Sequence, residues 1–410
     1  MKRAEPVYVA APEKRDPGGL PKFAVSALFA LGFRPLYLGG AAFGALALAV
    51  WLLVLNGVPV VGGYLLRADP VGWHAHEMVF GFAAAIVAGF LLTAVRAWTG
   101  QNTARGLPLA ALVGTWLAAR VLVWSGPALP AAIVDSAFLP LVALALLRVL
   151  VRASNRRNYF VVPLLLAFGA LNAAFHGFSI ADRPDLAIRC IEVAAGIVVT
   201  LVSVIGGRVI PMFTANAIPG FVARRWRVIE LAAAPVTLAP FVADAVTPAG
   251  VLVAAVASLA CAVHLARIIG WRSYAVRGRP ILAILHVAYA WLPLGFALLA
   301  LSALSAPRVP HTVAMHAFTA GVIGGAVIAM ITRTARGHTG LRLAADRRDM
   351  ACYALVMIAG ALRVFGPMAA PSGYSIWIVG AGSCWTLAFA IYVTAYAPRL
   401  ARPRADGKPG

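Results

Sequence analysis

Acidic residues are scarce in this chain. Its 410 residues include only 14 Asp and Glu, and charged residues of both signs make up 12% of it, about half the share of a soluble domain. A fold solvated mainly by water is excluded by that shortage. Cysteine is scarce too: Cys190, Cys261, Cys352 and Cys384 stand far apart, with no paired spacing. Zinc ribbons, redox dithiol motifs and disulfide frameworks are thereby excluded, and the four read as small buried hydrophobes. No polar stretch is long enough to fold as a separate domain, and no internal repeat is plain enough to define matched halves. The opening residues carry charges and prolines but no short apolar core with a cleavage site, so they read as a retained arm rather than a secretory leader. The stretch from Gly337 to Gly340 lacks the glycine-rich strand-to-helix pattern of a phosphate loop.

What the chain has is apolar surface. Hydrophobic residues make up 62% of it and the mean hydropathy is +0.87. Runs bounded by charge, Pro or Gly predict spans at 36–56, 74–95, 107–125, 129–151, 160–180, 190–211, 228–245, 249–270, 280–303, 310–332, 349–367 and 374–396, each near the length of a transmembrane helix. The expected fold is therefore an all-α integral membrane protein, a bundle of about twelve transmembrane helices. Of the 35 Lys and Arg, 29 fall on one side: in the opening arm, in 96–106, 148–157, 208–227, 267–279 and 333–348, and in the tail. The alternate loops hold only Arg67, Arg183, Arg189 and Arg308, while Arg120 and Arg363 fall inside spans. The positive-inside rule makes the basic side cytoplasmic, with both termini there. Residues 1–35 are expected to form a mobile cytoplasmic arm, 36–396 the membrane domain and 397–410 a cytoplasmic tail. The net charge of +21 then reflects basic loops against lipid, not a nucleic-acid partner.

Polar groups at membrane depth are costly and tend to mark pathways or cofactors. The orientation sorts the eight histidines by depth. His74 and His76 open the second span at its periplasmic end, His176 lies about one turn from that end of the fifth, and His311 and His316 begin the tenth. These five share one layer and are candidate metal ligands, with Met78 and Met315 as added thioethers. Regular helix would put His74, Glu77 and Met78 on one face and turn His76 away by about 200°, so the two imidazoles cannot share one metal. Arg120, Asp135, Glu192 and Arg363 lie at the same depth, where pairing is the cheapest arrangement. Asn172, four residues before His176, is placed to fix its tautomer. His264 and His286 lie about 9 Å inside the cytoplasmic ends of the eighth and ninth spans and suggest a second, inner site able to hold a bis-histidine haem. Tyr289 follows His286 on the same face. Arg208 and Arg333, at basic helix ends, are partners for haem propionates or another anion, unless they only snorkel to the surface. Neutral imidazole ligates haem iron and copper well; otherwise each ring bonds a backbone carbonyl or lines a polar cavity.

These residues fall within recognisable blocks. Trp73 to Thr93, WHAHEMVFGFAAAIVAGFLLT, resembles the signature of the NnrS family of bacterial haem- and copper-containing membrane proteins. FRPLYL at Phe33 to Leu38, GGRVIPMFTANA at Gly206 to Ala217, LHVAYAWLPLG at Leu285 to Gly295 and TRTARGHTG at Thr332 to Gly340 continue the likeness. VRAWTG at Val95 to Gly100 departs from the family pattern, which carries a Pro-Asn pair before the Trp, and this leaves the role of that turn open. The resemblance implies a twelve-span bacterial inner-membrane protein that binds haem b and copper and is associated with denitrification and with tolerance of nitric oxide and nitrosative stress. It carries the cofactors onto His74, His76, His286, His316 and His338. Two other functions fit the residues: a redox enzyme like the nitric oxide reductases and haem-copper oxidases, or a transporter of a metal or nitrogen oxide. The sequence singles out no catalytic residue and fixes no oligomeric state.

Overall fold

The computed structural model describes residues 25–247, 250–305 and 308–404, so most of the expected arm and the end of the tail lie outside the described residues. The structure is 83% helical, with no strand among the described residues. Twelve helices are long and apolar enough to cross a membrane: Phe33–Leu55, Pro70–Thr99, Leu107–Ser125, Ala128–Arg152, Arg156–Ile180, Pro184–Ala217, Arg227–Val246, Val251–Gly270, Pro280–Ser305, His311–His338, Arg347–Ala369 and Pro371–Leu400. Every expected span is present, and most run a few residues further than hydropathy alone predicts. The sixth extends furthest. Its apolar run stops near Pro211, yet the helix continues to Ala217, because an internal proline removes one backbone bond without ending a helix that neighbours hold in place.

Start signals explain several boundaries. Pro70 and Pro184 occupy first-turn positions, where the missing amide proton is no loss. Asp346 caps the eleventh span through a reciprocal box with Asp349, satisfying amides that would otherwise be orphaned. Short connections make most sequential spans neighbours, and the first span closes the bundle by packing on the twelfth. The second, sixth, ninth and tenth spans are the most buried. They enclose, with the first, an apolar cavity of about 90 Å³ whose lining includes Ile86, Leu201, Ile205, Tyr289, Val327 and Met330. Below, the basic end is the one that carries most of the arginines, and the other is the opposite end.

Two spans are not regular helix. The second is α-helical through His76 and becomes π-helical over Glu77–Ala83, and the tenth does the same after His316, over Ala317–Ile323. Each π segment widens the turn to i→i+5 bonding, a feature frequent at functional sites. The two spans also match in sequence at a constant offset: His76, Gly81, Arg96, Thr99 and Gly100 correspond to His316, Gly321, Arg336, Thr339 and Gly340. That correspondence joins two spans and does not define matched halves. It is sparse because only the turn geometry, one close approach and the basic end are shared. Gly321 is the close approach, since a Cβ there would overlap the Trp291 ring. Gly321→Ala is expected to lower stability by about 1–3 kcal/mol through overpacking. Gly114→Ala, whose Cβ meets nothing within 4 Å, should leave stability unchanged or slightly raised. Thermal unfolding of the two purified variants separates these outcomes.

Candidate functional site

The histidine layer at the opposite end is not one site but three. In the first, His76 and His176 converge on Asp135: each Nε2 lies 3.0 Å from Asp135 Oδ2. The far nitrogens are anchored, His76 Nδ1 to Glu77 Oε1 at 2.9 Å and His176 Nδ1 to the Tyr64 hydroxyl at 2.8 Å. Arg120 ties the carboxylates together, donating to Glu77 Oε1 at 2.5 Å and to Asp135 Oδ1. The pairing expected of Arg120 and Asp135 is therefore made. Asn172, however, bonds His76 and Asp135 and not His176. Glu77, the first residue of the π turn, bonds the neighbouring His76. All of these side chains but Tyr64 are buried.

The second site joins His311 to the sixth and seventh spans. His311 Nε2 is 2.7 Å from Asp244 Oδ2 and its Nδ1 is 3.5 Å from Glu192 Oε1. It is half-buried and more open than the first.

The third site is the least satisfied. His74 stacks on Trp51, ring centroids 4.7 Å apart, and its Nδ1 is buried with no hydrogen-bond partner among the described residues. His316 Nδ1 donates to the Thr312 carbonyl at 2.7 Å, which leaves the lone pair on Nε2. His74, His316 and Arg363 lie within electrostatic reach of one another, and Arg363 also has a buried guanidinium nitrogen without a partner among the described residues. Met78 and Met315 pack against the apolar core.

At the basic end, His264 and His286 sit in separate hydrogen-bonded settings. His264 bonds the Tyr289 hydroxyl through Nδ1 at 2.9 Å and Thr237 through Nε2 at 2.9 Å. His286 bonds Thr214 at 3.1 Å and Ser273 at 2.8 Å. Trp271 packs against both Tyr289 and His286, so aromatic rings link the two imidazoles. Tyr289 thus partners His264, not the nearer-in-sequence His286. Arg267 completes the group, donating to Tyr289 at 2.5 Å and to Glu230 at 2.8 Å. Arg208 bonds Asn158 at 2.8 Å, and Arg333 lies 3.9 Å over the Phe213 ring; both are engaged in packing where a surface anion partner was expected. His338 packs on Phe33, at the other end of the tenth span from His316 and about 33 Å away by helical rise.

Arg336 joins Asp346, Asp349 and Tyr396 in a further ion cluster. Burial works against the Asp346 carboxylate, but the Asp349 amide and Arg336 more than offset it and hold it below its ordinary value. Tyr64, Asp244, Glu230 and Arg267 are the partners that the sequence reading missed. The signal available for three of them is an ionisable residue in the end turn of an apolar span, where burial demands a partner.

Large apolar side chains point outward, Leu46 at 62%, Leu129 at 65%, Leu231 at 69% and Ile376 at 74% exposure, while imidazoles and carboxylates turn inward. In water such a surface would be an aggregation patch; around membrane-length helices it is a lipid face. The class is therefore a multi-pass helical membrane protein with imidazole and carboxylate donor sets in its interior. No curated protein matches the chain closely enough to add a relative. The chain belongs to the NnrS family, whose NnrS protein pattern matches residues 27–404.

Proposed function

We propose that this chain is a haem b- and copper-binding protein of the bacterial inner membrane that protects the cell against nitric oxide and nitrosative stress, in keeping with an association with denitrification. The observation that carries the reading is the third site. A buried imidazole nitrogen with no partner is expensive, and here it lies within electrostatic reach of a second imidazole whose other nitrogen is already committed to a carbonyl. That is the arrangement of a ligand whose outer hydrogen bond fixes its tautomer. The residues therefore fit a haem: His74 and His316 would hold the iron from opposite spans, and Arg363, with its spare donor, would pair a propionate. Bound there, haem would supply one-electron chemistry and an iron able to interact with nitric oxide. The chain's own part is to orient the two rings, through Trp51 and the Thr312 carbonyl, and to keep water from them. Copper falls to His76 and His176 of the same layer.

The basic end is taken as cytoplasmic on the distribution of arginine; alkaline phosphatase fused after Gly410 should then be inactive, and an active fusion would overturn the orientation. Haem binding is tested by spectrum. His74→Ala and His316→Ala should each purify as folded protein with the Soret band reduced several-fold, and cells carrying either should lose their growth advantage under nitric oxide. Full haem content in both variants would remove the reading.

A redox enzyme is the second reading, favoured by Tyr289, which lines the apolar cavity and whose hydroxyl is bonded to His264 and Arg267, a tyrosine and histidine pair beside a space for a small molecule.

A further inference from the structure

We infer that His76, His176 and Asp135 form a binding site for one divalent transition-metal ion, separate from the haem ligands, with Nε2 of each histidine and Oδ2 of the aspartate as donors. It deepens the copper half of the reading above.

His76 Nδ1 faces Glu77 Oε1, and an ionised carboxylate only accepts, so this nitrogen carries the proton. Nε2 of the same ring then faces Asp135 Oδ2 and Asn172 Oδ1, each at 3.0 Å, and both of these only accept as well. Unless a cation stands at that nitrogen, its lone pair points at two oxygens. A second proton would close the inventory, making His76 and Arg120 balance Glu77 and Asp135. A metal ion closes it too, and the surroundings match the metal better. His176 Nε2 reaches the same Asp135 oxygen, and the three donor atoms lie within 4.8 Å of one another, close enough to converge on one ion with bonds near 2 Å.

Each donor is also held from behind. Glu77 fixes His76, the Tyr64 hydroxyl fixes His176, and Arg120 with Asn172 fixes Asp135. Outer partners of this kind set the tautomer and orientation of metal ligands. Two imidazoles and one carboxylate suit first-row ions such as Fe²⁺, Cu²⁺ and Zn²⁺. The second cluster is a poorer candidate. There the two carboxylates lie on opposite nitrogens of the single His311 ring, the geometry of a bridging imidazolium, and both ring nitrogens are taken up by the carboxylates themselves.

The probe is Cu²⁺, the tightest binder of the divalent series, added to the full-length, haem-loaded protein in detergent after chelation. One equivalent resistant to mild chelator, with an electron paramagnetic resonance signal split by two nitrogens, is expected. His176→Ala should lose that equivalent and the two-nitrogen signal. Tyr64→Phe, which keeps every donor and removes only the hydroxyl behind His176, should weaken binding about 10- to 100-fold. His311→Ala should bind as the parent does. The Soret band should be unchanged in all three, so failure of this site is distinguishable from failure of the haem reading. If the parent retains no Cu²⁺ beyond what His311→Ala also loses, or if His176→Ala keeps the two-nitrogen signal, the cluster is a protonated ion network only and the inference is wrong.

Discussion

Arg120→Ala is expected to remove about 3–5 kcal/mol of stability, the cost of leaving a buried charge unpaired. That is a large part of the roughly 5–15 kcal/mol that holds a typical domain folded. Arg120 is 6% exposed and bridges Glu77 on the second span to Asp135 on the fourth. Without it, two carboxylates face each other at membrane depth with only His76 between them. Arg120→Lys should recover little, since one ammonium cannot fork between two separate carboxylates as a guanidinium does. If Arg120→Ala yields too little protein to measure, a triple variant settles the cause: Arg120→Met with Glu77→Gln and Asp135→Asn removes all three charges and should be more stable than Arg120→Ala alone. Unfolding in graded denaturing detergent measures both. A loss below about 1 kcal/mol, the range of a solvent-exposed pair, would show the cluster to be solvated and not structural.

The membrane architecture was almost wholly legible in the sequence. Apolar runs are local, so twelve spans and their order follow from composition along the chain, and helix ends were missed only where helix continues past the apolar run, as at Pro211. Depth was legible for the same reason: the side of the membrane on which a loop falls places His74, His76, His176, His311 and His316 in one layer. Their division into three sites was not. His74 and His76 diverge, as 100° per residue requires, but which neighbour each meets depends on how the spans are arranged around one another. Nothing near His76 announces that Asp135, 59 residues on, is its partner. The partner of Tyr289 was not legible either. Three residues along one helix put His286 on the same face, yet the hydroxyl is taken by His264 from the next helix.

The glycine pair of the GGRVIP block shows how a motif can be plain while its cause is hidden. As sequence, Gly206 and Gly207 mark a basic helix end and suggest an anion site. In the structure they make room: Gly206 lies against the Tyr289 ring, and a Cβ on Gly207 would occupy the place of Arg267 Nη2. Arg267 is 3% exposed and donates to the Ser203 carbonyl at 3.0 Å, to Tyr289 at 2.5 Å and to Glu230 at 2.8 Å. A single methyl group must therefore displace the guanidinium and leave Glu230, Tyr289 and Ser203 with unmet polar groups. Gly207→Ala is expected to cost as much as Arg267→Ala itself, about 3–5 kcal/mol. The sign alone is informative, since glycine to alanine inside a helix otherwise gains about 1 kcal/mol. The double variant is the sharper test. With the arginine already gone, the methyl group has nothing to displace, so Gly207→Ala in an Arg267→Ala background should be neutral or stabilising, a coupling of several kcal/mol between residues 60 positions apart where independent sites would simply add. Additive losses would mean that Gly207 is needed for the backbone of the sixth span and not for the arginine it faces.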